Sequence, residues 1–144
     1  MQIRRSNPRS YNVGVYSPEI LDHFEHPRNS GEVESPDASA QEENPVCGDV
    51  LRLTARIEGG RISEIKFLAK GCVPVMACAS ALTELVKGKT LREAKALTSE
   101  QVRNAVGHLP PASDHAAQLA IDALAAMFEH NATPQATGRV PSGQ

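Results

Sequence analysis

Tryptophan is absent from this 144-residue chain, and three phenylalanines with two tyrosines make up its entire aromatic content. With 40% apolar residues, a core is still possible, but it must be aliphatic, built from Leu, Val, Ile and Ala. Long apolar runs are also missing. None approaches the ~18–20 residues that cross a bilayer, so no membrane association is expected. Arg4, Arg5 and Arg9 are followed by no apolar block, which argues against a secretory signal. Charge of one sign is scarce, with a formal net charge of -2, and neither nucleic acid nor an anionic membrane surface is expected as a partner. Three cysteines are an odd number and offer no disulfide framework, so free thiols or metal ligands in a cytoplasmic protein are the better reading.

The length suits one globular domain and is too short for two comfortable ones. Residues 1–15 are polar and read as a flexible amino-terminal arm, and residues 131–144, rich in Pro, Gly and small polar residues, as a disordered tail. One domain over 16–130 remains. Ser17-Pro18 predicts a helix start, with Ile20, Leu21 and Phe24 on one face and His26-Pro27 as the stop. The polar stretch 29–44 has room for a short edge strand without marking its place. Leu51, Leu53, Ala55 and Ile57 alternate with Arg52, Thr54 and Arg56. Gly59-Gly60 then supplies a tight turn, and Ile65, Phe67 and Ala69 continue the apolar face, predicting an antiparallel hairpin with one wet side.

After Gly71 everything reads as helix. Pro74 to Val86 is apolar and stops at Gly88. Thr90 with Glu93, and Thr98 with Gln101, have the spacing of capping boxes that open two short helices. Pro110-Pro111 is a rigid break, Ser113 is the expected cap of the last helix, and Ala116, Leu119, Ala120, Ala123, Leu124, Met127 and Phe128 form its apolar stripe. Strands first and helices afterwards predict an α+β fold, a small antiparallel sheet of about three strands with helices packed on one face.

Chemistry-bearing residues gather at the ends of these elements. Cys47-Gly48-Asp49 precedes the first clear strand, Gly71-Cys72 stands where the second strand gives way to a helix, and His115 lies in the first turn of the last helix. Cys47, Asp49, Cys72 and His115 amount to two thiolates, a carboxylate and an imidazole, a full donor set for a tetrahedral metal ion. They could equally hold an iron–sulfur cluster of mixed ligation. At a helix amino terminus Cys72 is expected to form its thiolate more easily, and His115 is expected to stay neutral. Gly48 lets the backbone turn so that Cys47 and Asp49 need not diverge. Taken singly, none of these features is specific: a free cysteine is commonly a core residue, and an isolated histidine is commonly structural.

The ordered set is more specific. Tyr16-Ser17-Pro18-Glu19-Ile20-Leu21-Asp22-His23-Phe24 with His26-Pro27-Arg28-Asn29, then Pro45-Val46-Cys47-Gly48-Asp49, Lys70-Gly71-Cys72, Val86-Lys87-Gly88-Lys89-Thr90 and Leu109-Pro110-Pro111, resembles the IscU/NifU amino-terminal scaffolds over nearly all of the folded part. That resemblance implies a non-enzymatic scaffold that binds iron and assembles a transient [2Fe–2S] cluster. Sulfur would come from a cysteine desulfurase, and acceptor proteins would receive the product. It places Cys47, Asp49, Cys72 and His115 at ligand positions and associates Asp49 with a labile cluster, in keeping with a hard carboxylate on a cluster iron.

The chain departs from the resemblance at Ala116, where the family carries its third cysteine, and at Ala112-Ser113 after the Pro-Pro pair, where chaperone-served scaffolds continue Val-Lys. Cys78 is the candidate substitute for that third cysteine, although Leu82 and Leu85 share its helix face, as beside a core cysteine. Ala116 keeps two further readings open: a relative that holds Zn²⁺ and acts in sulfur relay, and a metal-free member kept for binding a partner. The oligomeric state is open, a homo-oligomer included. His23, His26, His108 and His130 have no reading beyond surface or capping roles.

Overall fold

The computed structural model describes residues 16–46 and 48–132. The arm at 1–15, the tail beyond 132 and Cys47 lie outside the described residues. The elements run α1 (Pro18–Glu25), β1 (Ala38–Glu43), β2 (Val50–Glu58), β3 (Arg61–Lys70), α2 (Val73–Val86), α3 (Leu91–Lys95), α4 (Ser99–Ala105), a 3₁₀ turn (Pro111–Ser113) and α5 (His115–Ala132). This is the α+β arrangement expected.

The three strands form one antiparallel sheet in the order β1-β2-β3. Register places Ala38, Ala55 and Ile65 on one rung and Ala40, Leu53 and Phe67 on the next but one. All six are buried, and α2 and α5 pack against the sheet. The alanines matter because α5 packs on β1 and both carry small buried side chains, Ala38 and Ala40 on the strand and Ala116, Ala117, Ala120 and Ala123 on the helix, which suits a close approach. Among the described residues, Phe67 and Phe128 are the aromatic members of the buried apolar set, in keeping with the aliphatic composition.

Local signals act where the sequence put them. Ser17 caps α1 by accepting the Ile20 amide at 3.0 Å, and the same hydroxyl donates to the Val106 carbonyl, tying α1 to the end of α4. Gly59 and Gly60 take φ of 60° and 75°, the conformation of a two-residue hairpin turn whose twist suits the strands. Both capping boxes are formed, Thr90 with Glu93 and Thr98 with Gln101. Ser113, in contrast, lies inside the 3₁₀ turn, and α5 begins two residues later at His115. The edge strand with no sequence marker is β1. α5 runs to Ala132, two residues past the expected domain boundary.

The outer face of the sheet is less wet than alternation suggests. Thr54 is 1% exposed because the connection after α1 folds across it, and the Val33 amide donates to its hydroxyl at 2.9 Å. The same connection lies along β3. Phe67 donates to the Asn29 carbonyl at 2.9 Å and accepts from the Gly31 amide at 2.8 Å. Further along β3, Ile62 exchanges hydrogen bonds with Gly88 and Lys89 at 2.7 and 2.9 Å.

α2 is the central helix, buried over most of its circumference between α1, the sheet and α5. Its polar residues explain the stop after α1. His23 is buried, correcting its assignment to the surface, and its Nδ1 lies 2.8 Å from Ser80 Oγ. Ser80 Oγ also accepts the Arg28 amide at 2.8 Å, and Asn29 Nδ2 donates to Thr83 Oγ1 at 3.0 Å. A short polar network thus holds His23, Arg28 and Asn29 on α2.

Candidate metal centre

Three chain segments end at one place. Asp49 immediately precedes β2, Cys72 is the N-cap residue of α2, and His115 is the first residue of α5. The loop before Asp49 is shaped by its own hydrogen bonds: Asn44 Oδ1 accepts the Val46 amide at 2.9 Å, the Asn44 carbonyl accepts the Gly48 amide at 2.7 Å, and the Asn44 amide donates to the Asp49 carbonyl at 2.8 Å. Val46 in this loop is 90% exposed.

One ligand atom from each of Asp49, Cys72 and His115 lies within 4.8 Å of the others. Asp49 is the hinge of the group. Its Oδ2 accepts from Cys72 Sγ at 3.5 Å and stands 3.5 Å from His115 Nε2. Asp49 is 5% exposed, whereas Cys72 and His115 are half-buried.

The electrostatics correct one expectation. Burial pushes the Cys72 thiol above its ordinary value, and the negative charge of Asp49 pushes it further, against the lowering by the Val75 amide at the helix start. In the metal-free protein the helix end is therefore outweighed, and the thiol keeps its proton and donates it to Asp49. A cation can take that proton's place, because thiolate and carboxylate would both turn their charge toward it.

Cys78 stands apart. It is fully buried among the apolar residues of α2, and burial pushes its thiol up to about 12. Ala116 follows His115 and is 1% exposed, its methyl group packed into the core. Gly71, named in the sequence only as the neighbour of Cys72, lies directly under the Asp49 carboxylate, a relation no local pattern announces.

Residues 15–136 match the model of the NifU-like N-terminal domain. The chain belongs to this family. Among relatives of this NifU-like chain, the iron–sulfur cluster assembly scaffold protein IscU 1 of Archaeoglobus fulgidus is 42% identical over 110 residues, 76% of this chain and 72% of that protein. The scaffold protein IscU of Haemophilus influenzae is 38% identical over 116 residues, 78% of this chain and 91% of that one. A crystal structure from Fervidobacterium islandicum, described as a cluster assembly scaffold for the SUF system, superposes with a TM-score of 0.66 at 23% identity. It covers 77% of the NifU-like chain and 94% of its own, a likeness of fold.

Proposed function

We propose that this protein is a scaffold for iron–sulfur cluster assembly, a carrier rather than an enzyme. In this reading it receives iron and desulfurase-derived sulfur, holds a transient [2Fe–2S] cluster as cargo, and passes it to acceptor proteins. Cys47, Asp49, Cys72 and His115 are the ligands. The observation that carries the reading is the convergence of Asp49, Cys72 and His115 within 4.8 Å from three distant stretches of chain. The scaffold names of the relatives support the same role. No described helix is long and apolar enough to cross a membrane.

The donor set suits temporary storage. Thiolates bind a soft cluster iron well, while a carboxylate is a harder and weaker partner, so the product is held without being locked in. His115 offers a nitrogen to the same centre.

Ala116 supports a second reading. With a methyl group at that position the site provides mixed N, O and S donors that suit a single tetrahedral Zn²⁺ as well as a cluster. One experiment separates these readings. The protein is purified without oxygen and supplied with iron and sulfide, and iron, sulfide and zinc per chain are measured beside the visible spectrum. A sulfide-to-iron charge-transfer band that disappears in Cys47→Ala and Cys72→Ala is expected. Stoichiometric zinc that resists iron loading would replace the scaffold reading by the zinc one, and no bound metal would leave a partner-binding protein.

A further inference from the structure

The geometry points to Gly71 as a positioning residue for this centre: its missing side chain is the space into which the Asp49 carboxylate folds to meet Cys72 and His115 together. The inference rests on the reading of the site as a metal centre and concerns how that centre is held in shape.

The β2–β3 ladder begins with Val50 opposite Lys70, so Asp49 and Gly71 face each other on the next rung. Side chains that oppose each other across an antiparallel pair normally keep their Cβ atoms about 4.5–5.5 Å apart and stand side by side. Here a Cβ at position 71 would lie 3.0 Å from Asp49 Cβ and 2.6 Å from its Cγ, with Oδ1 closer still. The carboxylate therefore lies over the Gly71 backbone instead of beside a neighbouring side chain. That direction brings its other oxygen, Oδ2, to 3.5 Å from both Cys72 Sγ and His115 Nε2.

Gly71 also has φ of 151°, outside the range that side chains readily adopt. The glycine thus does two things at one point. It turns β3 into the N-cap of α2, setting where Cys72 begins, and it leaves the volume that Asp49 fills. Any side chain there must displace the carboxylate of Asp49, a residue only 5% exposed.

Gly71→Ala, Asp49→Ala and the double variant, each in the full chain, test this with Co²⁺ as the probe. The readouts are the ligand-field bands between 500 and 750 nm, roughly the range of a tetrahedral site with thiolate and imidazole donors, and the Co²⁺ affinity. Gly71→Ala is expected to weaken Co²⁺ at least tenfold and to shift the bands toward the pattern of Asp49→Ala. Adding it to Asp49→Ala is expected to cost far less than adding it to the wild-type chain, the remainder coming from the φ of position 71 and the Cβ contact that Asp49→Ala leaves. Wild-type bands and affinity in Gly71→Ala, or an equal loss when it is added to Asp49→Ala, would overturn the inference.

A metal-free arm covers the case in which Gly71→Ala does not fold. Asp49→Gly removes every Asp49 atom that meets the new Cβ, so the Asp49→Gly/Gly71→Ala pair is expected to recover native circular dichroism and most of the lost melting temperature. A melting penalty for Gly71→Ala that is the same in the Asp49→Gly background as in the wild-type chain would assign the effect to backbone strain alone and end the proposal. Failure of the wild-type chain to take up Co²⁺ would be a different result, defeating the metal-centre reading on which the inference stands.

Discussion

Ser80 Oγ on α2 lies 2.8 Å from Nδ1 of His23 on α1, and both residues are buried. Because the same oxygen accepts the Arg28 amide, the serine proton is free to point at His23, which then carries its own proton on Nε2. Burial, with the nearby Arg28 charge, holds the His23 imidazole below its ordinary pKa, and Glu84 and Asp22 oppose that shift without reversing it. The folded protein therefore resists protonation at this site.

The sign of the pH dependence follows. Well above pH 6.5 His23 is neutral in both folded and unfolded chains and contributes no slope. As the pH falls through that value the unfolded chain takes up a proton that the folded chain refuses, so stability drops by at most about 1.4 kcal/mol per pH unit from this residue. Urea unfolding between pH 8 and 5 should show the decline, and His23→Asn should flatten it. An unchanged slope in His23→Asn would place the acid sensitivity elsewhere. Ser80→Ala, which leaves the Arg28 amide and the imidazole without this partner, should cost about 1–3 kcal/mol at neutral pH.

Thiol labelling distinguishes the two described cysteines. In a Cys47→Ala background, iodoacetamide should modify one thiol of the native protein, Cys72, and should reach Cys78 only in denaturant, because Cys78 is fully buried with its thiol pushed up to about 12. Alkylation of Cys72 should be slower than that of a free cysteine, since its thiol is held protonated, and Zn²⁺ should protect it. Mass spectrometry of the digested protein reads both sites. Native-state labelling of Cys78 would contradict its packing.

Ala116→Cys should add a third thiolate beside His115. The reconstituted cluster should then decay several-fold more slowly and transfer more slowly, because a soft ligand replaces water or carboxylate in the iron coordination. Position 116 is 1% exposed, so the sulfur enters a packed region and the metal-free variant should lose about 1–3 kcal/mol of stability. Loss of the visible band with time after removal of iron and sulfide measures the first effect. An unaltered lifetime would mean that the new thiol stays in the core.

Two short helices depend on their caps. α3 has five residues and α4 seven, far below the length at which a helix holds alone. Thr98→Ala removes both the bond to the Gln101 amide at 3.2 Å and the reciprocal arrangement around it. A loss of about 1 kcal/mol is expected, and a denaturation midpoint equal to that of the parent would show that packing alone holds α4.

Much of this fold could be read in advance because its signals are local. Ser17-Pro18, the two Gly residues after Glu58, and Thr90 and Thr98 with their partners three residues on each fix one boundary through bonds within a turn. β1 escaped because its alternation, Ala38 and Ala40 between polar residues, resembles a loop until α5 covers it. His23 escaped for a related reason: its burial depends on Ser80, 57 residues away. At the centre, the residue types and their order pointed to Asp49, Cys72 and His115. The raised thiol of Cys72 did not follow from sequence, since it needed the distance to Asp49.

The hydrogen bonds that Asn29, Gly31, Gly88 and Lys89 make with β3 reach beyond the chain itself. An exposed strand edge is a template for a second sheet, and along β3 those positions at Ile62 and Phe67 are already taken by the chain's own loops. Two copies cannot extend the sheet there by joining β3 to β3 without first tearing these loops away. With the Cys72 thiol just past one end of that strand, the protein is protected on this side from zipping into fibres.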